Sequence, residues 1–295
     1  MASDFATNFT GMTQYDDVSY TAIITDAVLD ALMAAVVTPG LFRHEDLSGD
    51  ASKAYKFPKA DKFTAAGVAE GVELVNTALT STSVTVTSAE IGIQATITDV
   101  LEVSDIPAAH GARLRQLGRA MANKLDIDIC ALLGAFTSVV GTTTVDLAIA
   151  NILDAIFTLE NADAASLGQI VGVIHPRQAA DIRQAVDADT GVVYSGGGVA
   201  GYGSVMGPAP GPGYFGSLLG IPFWMSTNVP SANLGADRAG GIFIADYALA
   251  MVQKWAARVE TMRWPPIRGM VLTASAMYGV GEVEDLAGVS LITDL

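Results

Sequence analysis

From Asp105 to Phe136 the apolar residues Leu114, Leu117, Met121, Leu125, Ile129, Leu132 and Phe136 fall three and four apart. That spacing lines one face of an α-helix. Asp105 suits the N-cap and Pro107 the first turn, while Gly111 and Gly118 weaken the helix locally. About thirty helical residues span roughly 45 Å, which is long for a domain of this size. Any fold for the chain has to accommodate that rod.

Ahead of the helix the period changes to two. Tyr55-Lys56-Phe57 alternates, and Val84 and Val86 alternate with Thr85 and Thr87. Ile91, Ile93, Ala95 and Ile97 then alternate with Gly92, Gln94, Thr96 and Thr98. This is strand periodicity with a Ser/Thr-rich polar face. The apolar set moves from even to odd positions across Ser88-Ala89-Glu90, which predicts a bulge or an offset there. Residues 50–104 read as a long two-stranded excursion. An isolated hairpin is marginal in water, so this one should lean on something else.

The remaining segments complete an α+β pattern. A short helix is predicted over about Thr21–Val36, with Ile23, Ile24, Val28, Leu29 and Leu32 on one stripe and Thr38-Pro39-Gly40 as its stop. The first twenty residues read as an extended arm. Residues 140–186 read as an α/β unit. It holds a helix capped by Thr143 or Thr144, a buried strand at Ile170–Ile174 and a helix opened by Pro176. The Gly/Pro-rich residues 187–216 predict an irregular loop. Strands follow at Ile221–Ser226 and Ile242–Ile244. Two more, between Ala256 and Tyr278, flank the turn Trp264-Pro265-Pro266-Ile267-Arg268-Gly269, and the last is Val289–Thr293.

Composition narrows the function. Of 295 residues 51% are hydrophobic and only 16% charged, against about 25% charged in an average soluble chain. Missing charge points to surface covered by other subunits, because obligate interfaces resemble a core cut in half. The most apolar stretches, Ala22–Val37 and Ile242–Val252, are broken by Asp26, Asp30 and Asp246, so no membrane span is expected. Met1-Ala2-Ser3-Asp4 lacks a basic start, so no signal peptide is expected. The single cysteine, Cys130, excludes an intrachain disulfide and fits a reducing cytoplasm. The net charge is −15, and the sixteen Lys and Arg are dispersed. Phosphate-binding surfaces need them clustered.

No constellation for chemistry emerges. His44, His110 and His175 have no metal-ligand spacing, and Cys130 reads as a small buried hydrophobe. The Gly196–Gly203 stretch lacks the Gly-Lys-Ser/Thr ending of a phosphate loop. Asp126 and Asp128 diverge on a helix. Glu282, Glu284 and Asp285 follow a strand and are expected to be solvated. The expectation is no catalytic residue, no cofactor and no metal. Lys53, Lys56, Lys59 and Lys62 recur every three residues and gather positive charge on an acidic chain. They serve solubility, or they meet acidic surface on a neighbouring subunit and fix its register.

The order of these elements resembles the major capsid protein of tailed bacteriophages, the Hong Kong 97-type fold. Gly216-Ser217-Leu218-Leu219-Gly220-Ile221-Pro222-Phe223, followed by Ser226 and Val229-Pro230, is similar to a phrase of that family. Tyr278-Gly279-Val280, Gly288-Val289 and Ile292-Thr293-Asp294 resemble its closing strands. The resemblance implies an N-terminal arm over 1–48 and an extended β E-loop over 49–104. It implies a peripheral domain with the spine helix over 105–139 and 253–284, and an axial domain over 140–252 and 285–295. It also implies pentamers and hexamers of an icosahedral head, assembled in a bacterial cytoplasm around DNA held without sequence-specific binding. Lys53, Lys56, Lys59 and Lys62 would be inter-subunit contacts, as would Trp264, Pro265, Pro266 and Arg268 near threefold axes. A portal, a decoration protein and a separate scaffolding protein are the partners implied.

The chain begins at Met1 and reaches the arm quickly, so no fused scaffolding domain is expected. No Asn follows Asn233, so the Lys–Asn cross-link of some relatives lacks its partner and non-covalent stabilisation is expected. An encapsulin, enclosing a protein cargo, shares the implied fold and is the nearest alternative. A hydrolase would need a catalytic cluster, and a secreted adhesin a signal segment; neither is visible.

Overall fold

The computed structural model describes residues 41–60, 65, 67–68, 70–71, 73, 81–104, 107–162, 164–188 and 213–294. The predicted helix over 21–36, the arm before residue 41, Lys62, Asp105 and the Gly196–Gly203 stretch lie outside the described residues. The strands in chain order are β1 (Arg43–Asp46), β2 (Ala54–Ala60), β3 (Ser81–Thr87), β4 (Ala89–Thr98), β5 (Val139–Val140), β6 (Ile170–Ile174), β7 (Tyr214–Leu218), β8 (Ile221–Met225), β9 (Ser231–Ala232), β10 (Asp237–Ile244), β11 (Leu249–Trp264), β12 (Gly269–Glu282) and β13 (Gly288–Asp294). The helices are α1 (Asp99–Ser104), α2 (Pro107–Leu133), α3 (Ile149–Asn161) and α4 (Pro176–Ala188).

The two alternating stretches on either side of Ser88 pair with different partners. β2 and β3 form an antiparallel hairpin, with Tyr55 opposite Val86 and Phe57 opposite Val84. β4 instead pairs over ten residues with β12, in a four-stranded sheet ordered β1-β11-β12-β4. The parity change is therefore a change of partner and not a bulge, and residues 89–98 are no part of a two-stranded excursion. Ser88 marks the break: its N–H and its hydroxyl both donate to the Lys53 carbonyl, at 2.8 and 2.9 Å. Beyond it, Ile91, Ile93, Ala95 and Ile97 turn toward Leu117 and Met121 of α2, while Gly92, Gln94 and Thr96 face solvent.

α2 is long because it serves two cores. Its 27 residues cover about 40 Å. Leu117 and Met121 pack on the four-stranded sheet with Leu272, Ala274 and Tyr278. Ile129, Cys130, Leu133 and, just beyond the helix, Phe136 pack beneath a second sheet with Val171, Val173 and Phe243.

That second sheet is ordered β5-β13-β10-β6-β8-β7, with β9 on one end of β10. Its centre reads as an unbroken apolar run because both faces are covered. Ile242, Phe243 and Ile244 of β10 are all fully buried. On the face away from α2, Ile152, Ala155 and Leu159 of α3 and Ala179 and Ile182 of α4 close the core.

Two local expectations fail for identifiable reasons. Thr143 and Thr144 do not cap α3, whose N-cap is Ala148 without a side-chain bond. Thr144 sits in a turn at φ 63°, and its N–H donates to Asp237 at 3.0 Å. The irregular loop predicted up to residue 216 ends earlier, because Tyr214–Leu218 is a strand. Its partner is β8, joined through Leu219 and Gly220 at φ 54° and 82°. Two positive φ values in sequence are the hairpin turn that twisted strands favour. Gly-rich composition hid that strand.

Candidate intersubunit surfaces

The β2–β3 hairpin is held at its base by side chains from its own chain. Phe57 and Val86 close on Leu47, Ala250 and Val252, and the Arg43 guanidinium lies 5.2 Å from the Phe57 ring centre. The Lys254 ammonium donates to three carbonyls of the lead-in, Leu47, Asp50 and Ser52. Nothing in the spacing of the sequence pointed to Lys254. Its role follows only from β1 lying parallel to β11.

Strand geometry divides the lysine series. Positions three apart on a strand face opposite ways. Lys53 and Lys56 are exposed. Lys59 turns back, and its Nζ lies 2.8 Å from Glu284 Oε1. That pair holds Lys59 above its usual range. Lys56 and Lys59 therefore do not share a face.

The second surface is the far end of the β11–β12 pair. The two strands run together from Leu249↔Glu282 to Trp264↔Gly269. Trp264, Pro265, Pro266 and Arg268 are brought together in an exposed turn, with Met262 61%, Trp264 42% and Ile267 39% accessible. Arg268 adopts φ 51° and donates its N–H to Pro265 at 3.0 Å. The Arg268 carbonyl accepts from the Asp99 N–H at 2.8 Å, and Arg263 pairs with the Asp99 carboxylate at 2.8 Å. Gly269 has to be glycine, since a β-carbon there would meet the Ile97 carbonyl. A third apolar surface is α3, where Leu153 and Phe157, one turn apart, are 49% and 65% accessible.

Asp126 and Asp128, two apart on α2, bind different parts of the molecule. Asp126 accepts from Ser226 and from Asn228, the latter at 2.9 Å. Asp128 points elsewhere, accepting from Tyr278 at 2.9 Å and pairing with Lys124. Burial, together with that bond, pushes the Tyr278 phenol up. Burial and the Asp126 charge push the Cys130 thiol up to about 12, far from a reactive thiolate. His44 is exposed and bonded to Gln253 at 2.8 Å. His175 is held below its usual range by burial and by Arg238. Among the described residues no group of three His, Cys, Asp or Glu is placed to hold a metal ion, and no helix is long and apolar enough to cross a membrane.

Glu282, Glu284 and Asp285 are not solvated as expected; all three are half-buried. Burial, a bond to Asp285 and neighbouring carboxylates push Glu282 up to about 7. Asp285 accepts from the Thr137 N–H at 2.8 Å. Burial opposes ionisation of Asp285, but the bonds from Thr137 and Glu282 outweigh it and hold its carboxyl below the usual range.

A family model described as phage capsid protein matches residues 80–290. Among solved structures, the chain is similar to the capsid of cyanophage P-SCSP1u at 16% identity, with 88% of each chain covered and a TM-score of 0.62. It is similar to the capsid of Ralstonia phage GP4 at 10% identity, covering 89% of this chain and 90% of that one, with a TM-score of 0.63. A virus-like particle from Pyrococcus furiosus is similar at 12% identity, over 92% of this chain and 99% of that one, with a TM-score of 0.56. No curated protein sequence matches.

Proposed function

Because this chain belongs to the phage capsid protein family, a family of structural shell proteins, we propose that it is the major capsid protein of a tailed phage. Copies assemble as pentamers and hexamers into an icosahedral head around double-stranded DNA, in the cytoplasm of a bacterial host. The observation that carries the reading is the β11–β12 turn. It is tied to its own chain through Asp99, yet it presents Met262, Trp264 and Ile267 to solvent. Clustered exposed apolar groups mark a surface meant for a partner.

In this reading residues 1–48 are the arm and the β2–β3 hairpin is the E-loop. The four-stranded sheet with α2 is the peripheral domain, and the mixed sheet with α3 and α4 is the axial domain. β4 then belongs with the peripheral sheet it pairs with. Trp264, Pro265, Pro266 and Arg268 meet neighbours near threefold axes. Lys53, Lys56 and Lys62 remain for a neighbour's acidic surface, Lys59 being engaged by Glu284. Many weak contacts made together act through high effective concentration. The net charge of −15 suits a wall that encloses DNA without gripping it. Portal, scaffolding and decoration proteins are the further partners this reading implies.

A second reading, an encapsulin-type shell around a protein cargo, is supported by the likeness to the Pyrococcus furiosus particle. Negative-stain microscopy of the purified chain tests both. Closed shells or capsomer-sized rings, formed without cofactor, are the expected result. A monomer at high concentration in every salt condition would contradict both readings. DNA or protein inside particles taken from the native source separates them.

A further inference from the structure

Lys59 and Glu284 come from parts of the chain that different sheets would otherwise keep apart. β12, in the four-stranded sheet, ends at Glu282, and β13, in the mixed sheet, begins at Gly288. Residues 283–287 are therefore a passage between the two sheets. The other passage, 245–248, runs beside it: the N–H groups of Val283 and Glu284 both donate to the Ala248 carbonyl, at 2.8 and 3.2 Å. The Lys59–Glu284 pair thus fastens the hairpin to the joint between the sheets.

The charges at this joint do not balance. Glu282 comes from β12, Glu284 and Asp285 from the passage, and among the described residues the ammonium facing them is Lys59 from β2. Tyr247, from the other passage, also faces Lys59. Asp285 is fixed by Thr137, just after α2. Three ionised carboxylates beside one cation in a half-buried site repel one another. With Glu282 protonated the repulsion drops, and its hydroxyl can donate to Asp285.

We propose that Lys59, Glu282, Glu284 and Asp285 form a proton-controlled latch. It holds the hairpin base against the joint between the sheets while Glu282 is neutral, and loosens when Glu282 ionises. Burial and the neighbouring carboxylates outweigh the opposing pull of Lys59 and raise Glu282 from 4.5 to about 7. A carboxyl raised in the folded state stabilises fully below its unfolded value, and that contribution is lost as pH rises through the folded one. Asp285 is held below 3.8 and Lys59 above 10.5. Between pH 6 and pH 8 neither changes charge, and Glu282 titrates.

Hydrogen–deuterium exchange of the full-length chain tests this, at pH 6 and pH 8, corrected for intrinsic rates, with light scattering confirming the same assembly state. The amides of β2 and β3 are expected to lose about three- to tenfold in protection from pH 6 to pH 8, from the linkage of a single carboxyl. Glu282→Gln, a near-isosteric neutral replacement, should keep the pH 6 protection at pH 8. Lys59→Met should weaken protection at both values. No pH effect in the wild type, or an undiminished one in Glu282→Gln, overturns the latch; so does full protection in Lys59→Met.

Discussion

The ring of Phe136 fills the space into which a β-carbon on Gly288 would project. Phe136 follows α2 and is 2% exposed, while Gly288 is the first residue of β13. The end of the long helix and the start of the last strand are fitted to one another. Gly288→Ala should destabilise the chain by about 1–3 kcal/mol through overpacking. The Phe136→Ala background should make that cost smaller, since the ring that clashes is gone. Urea unfolding of the two single variants and the double variant measures the coupling.

Gln178 is buried on α4 and joins two strands, β10 and β13. Its amide group donates to the Leu291 and Arg238 carbonyls, both at 3.2 Å, and to the Thr293 hydroxyl at 2.8 Å. Its carbonyl accepts from the His175 N–H at 3.0 Å. Gln178→Ala leaves buried partners unpaired, at about 1–3 kcal/mol for such groups. A total loss of about 2–4 kcal/mol in chemical denaturation is expected.

Phe57 is the apolar anchor of the hairpin. Phe57→Ala should cost about 3–5 kcal/mol where a phenyl ring leaves a packed core. Much of the effect should be local, because Phe57 closes the hairpin base against Ala250 and Val252. Limited proteolysis is expected to cut residues 54–87 faster in the variant while leaving α3 and β10 protected. Cleavage spread evenly over the chain would show that the hairpin does not open separately.

Cys130 lies among Ile129, Leu133 and Phe243. Its thiol, pushed up by burial to about 12, should not react with a thiol reagent at pH 8 in the folded chain. It should react at the free-cysteine rate in denaturant. Rapid labelling of the native chain would contradict its burial.

Period and turn chemistry made much of this fold legible. The three-four spacing along 114–136 places Ile129 and Leu132 correctly in α2, and the alternation from Ile91 to Ile97 gives the inward face of β4. The parity switch at Ser88 was visible too, but a bulge and a change of partner leave the same trace in a sequence. Only the pairing of β4 with β12 separates them. The Gly-rich stretch concealed β7, and Thr144 looked like a helix cap while serving a turn. Less of the candidate surfaces could be read. The exposed turn at 264–268 was apparent from its prolines, whereas Lys254 and the Lys59–Glu284 pair depend on chain crossings that no local pattern records. Glu282, Glu284 and Asp285 read as solvated because nothing nearby in the sequence announces Lys59, which meets Glu284, or Thr137, which binds Asp285.

The turn offers a separation of assembly from folding. Met262 and Trp264 are exposed, so the double substitution Met262→Ser, Trp264→Ser should change unfolding free energy by less than about 1 kcal/mol, as surface changes commonly do. Sedimentation velocity should nevertheless show the particle peak of the wild type replaced by small oligomers. An equal particle yield would remove this turn from the contacts between copies.

Cryo-electron microscopy of particles formed by the purified chain bears on the whole account. The expected map shows closed shells of identical copies, in which residues 54–87 of one copy lie across another and the Trp264–Arg268 turn touches a neighbour. Shells in which both segments contact only their own chain, or a chain that never leaves the monomeric state, would contradict it.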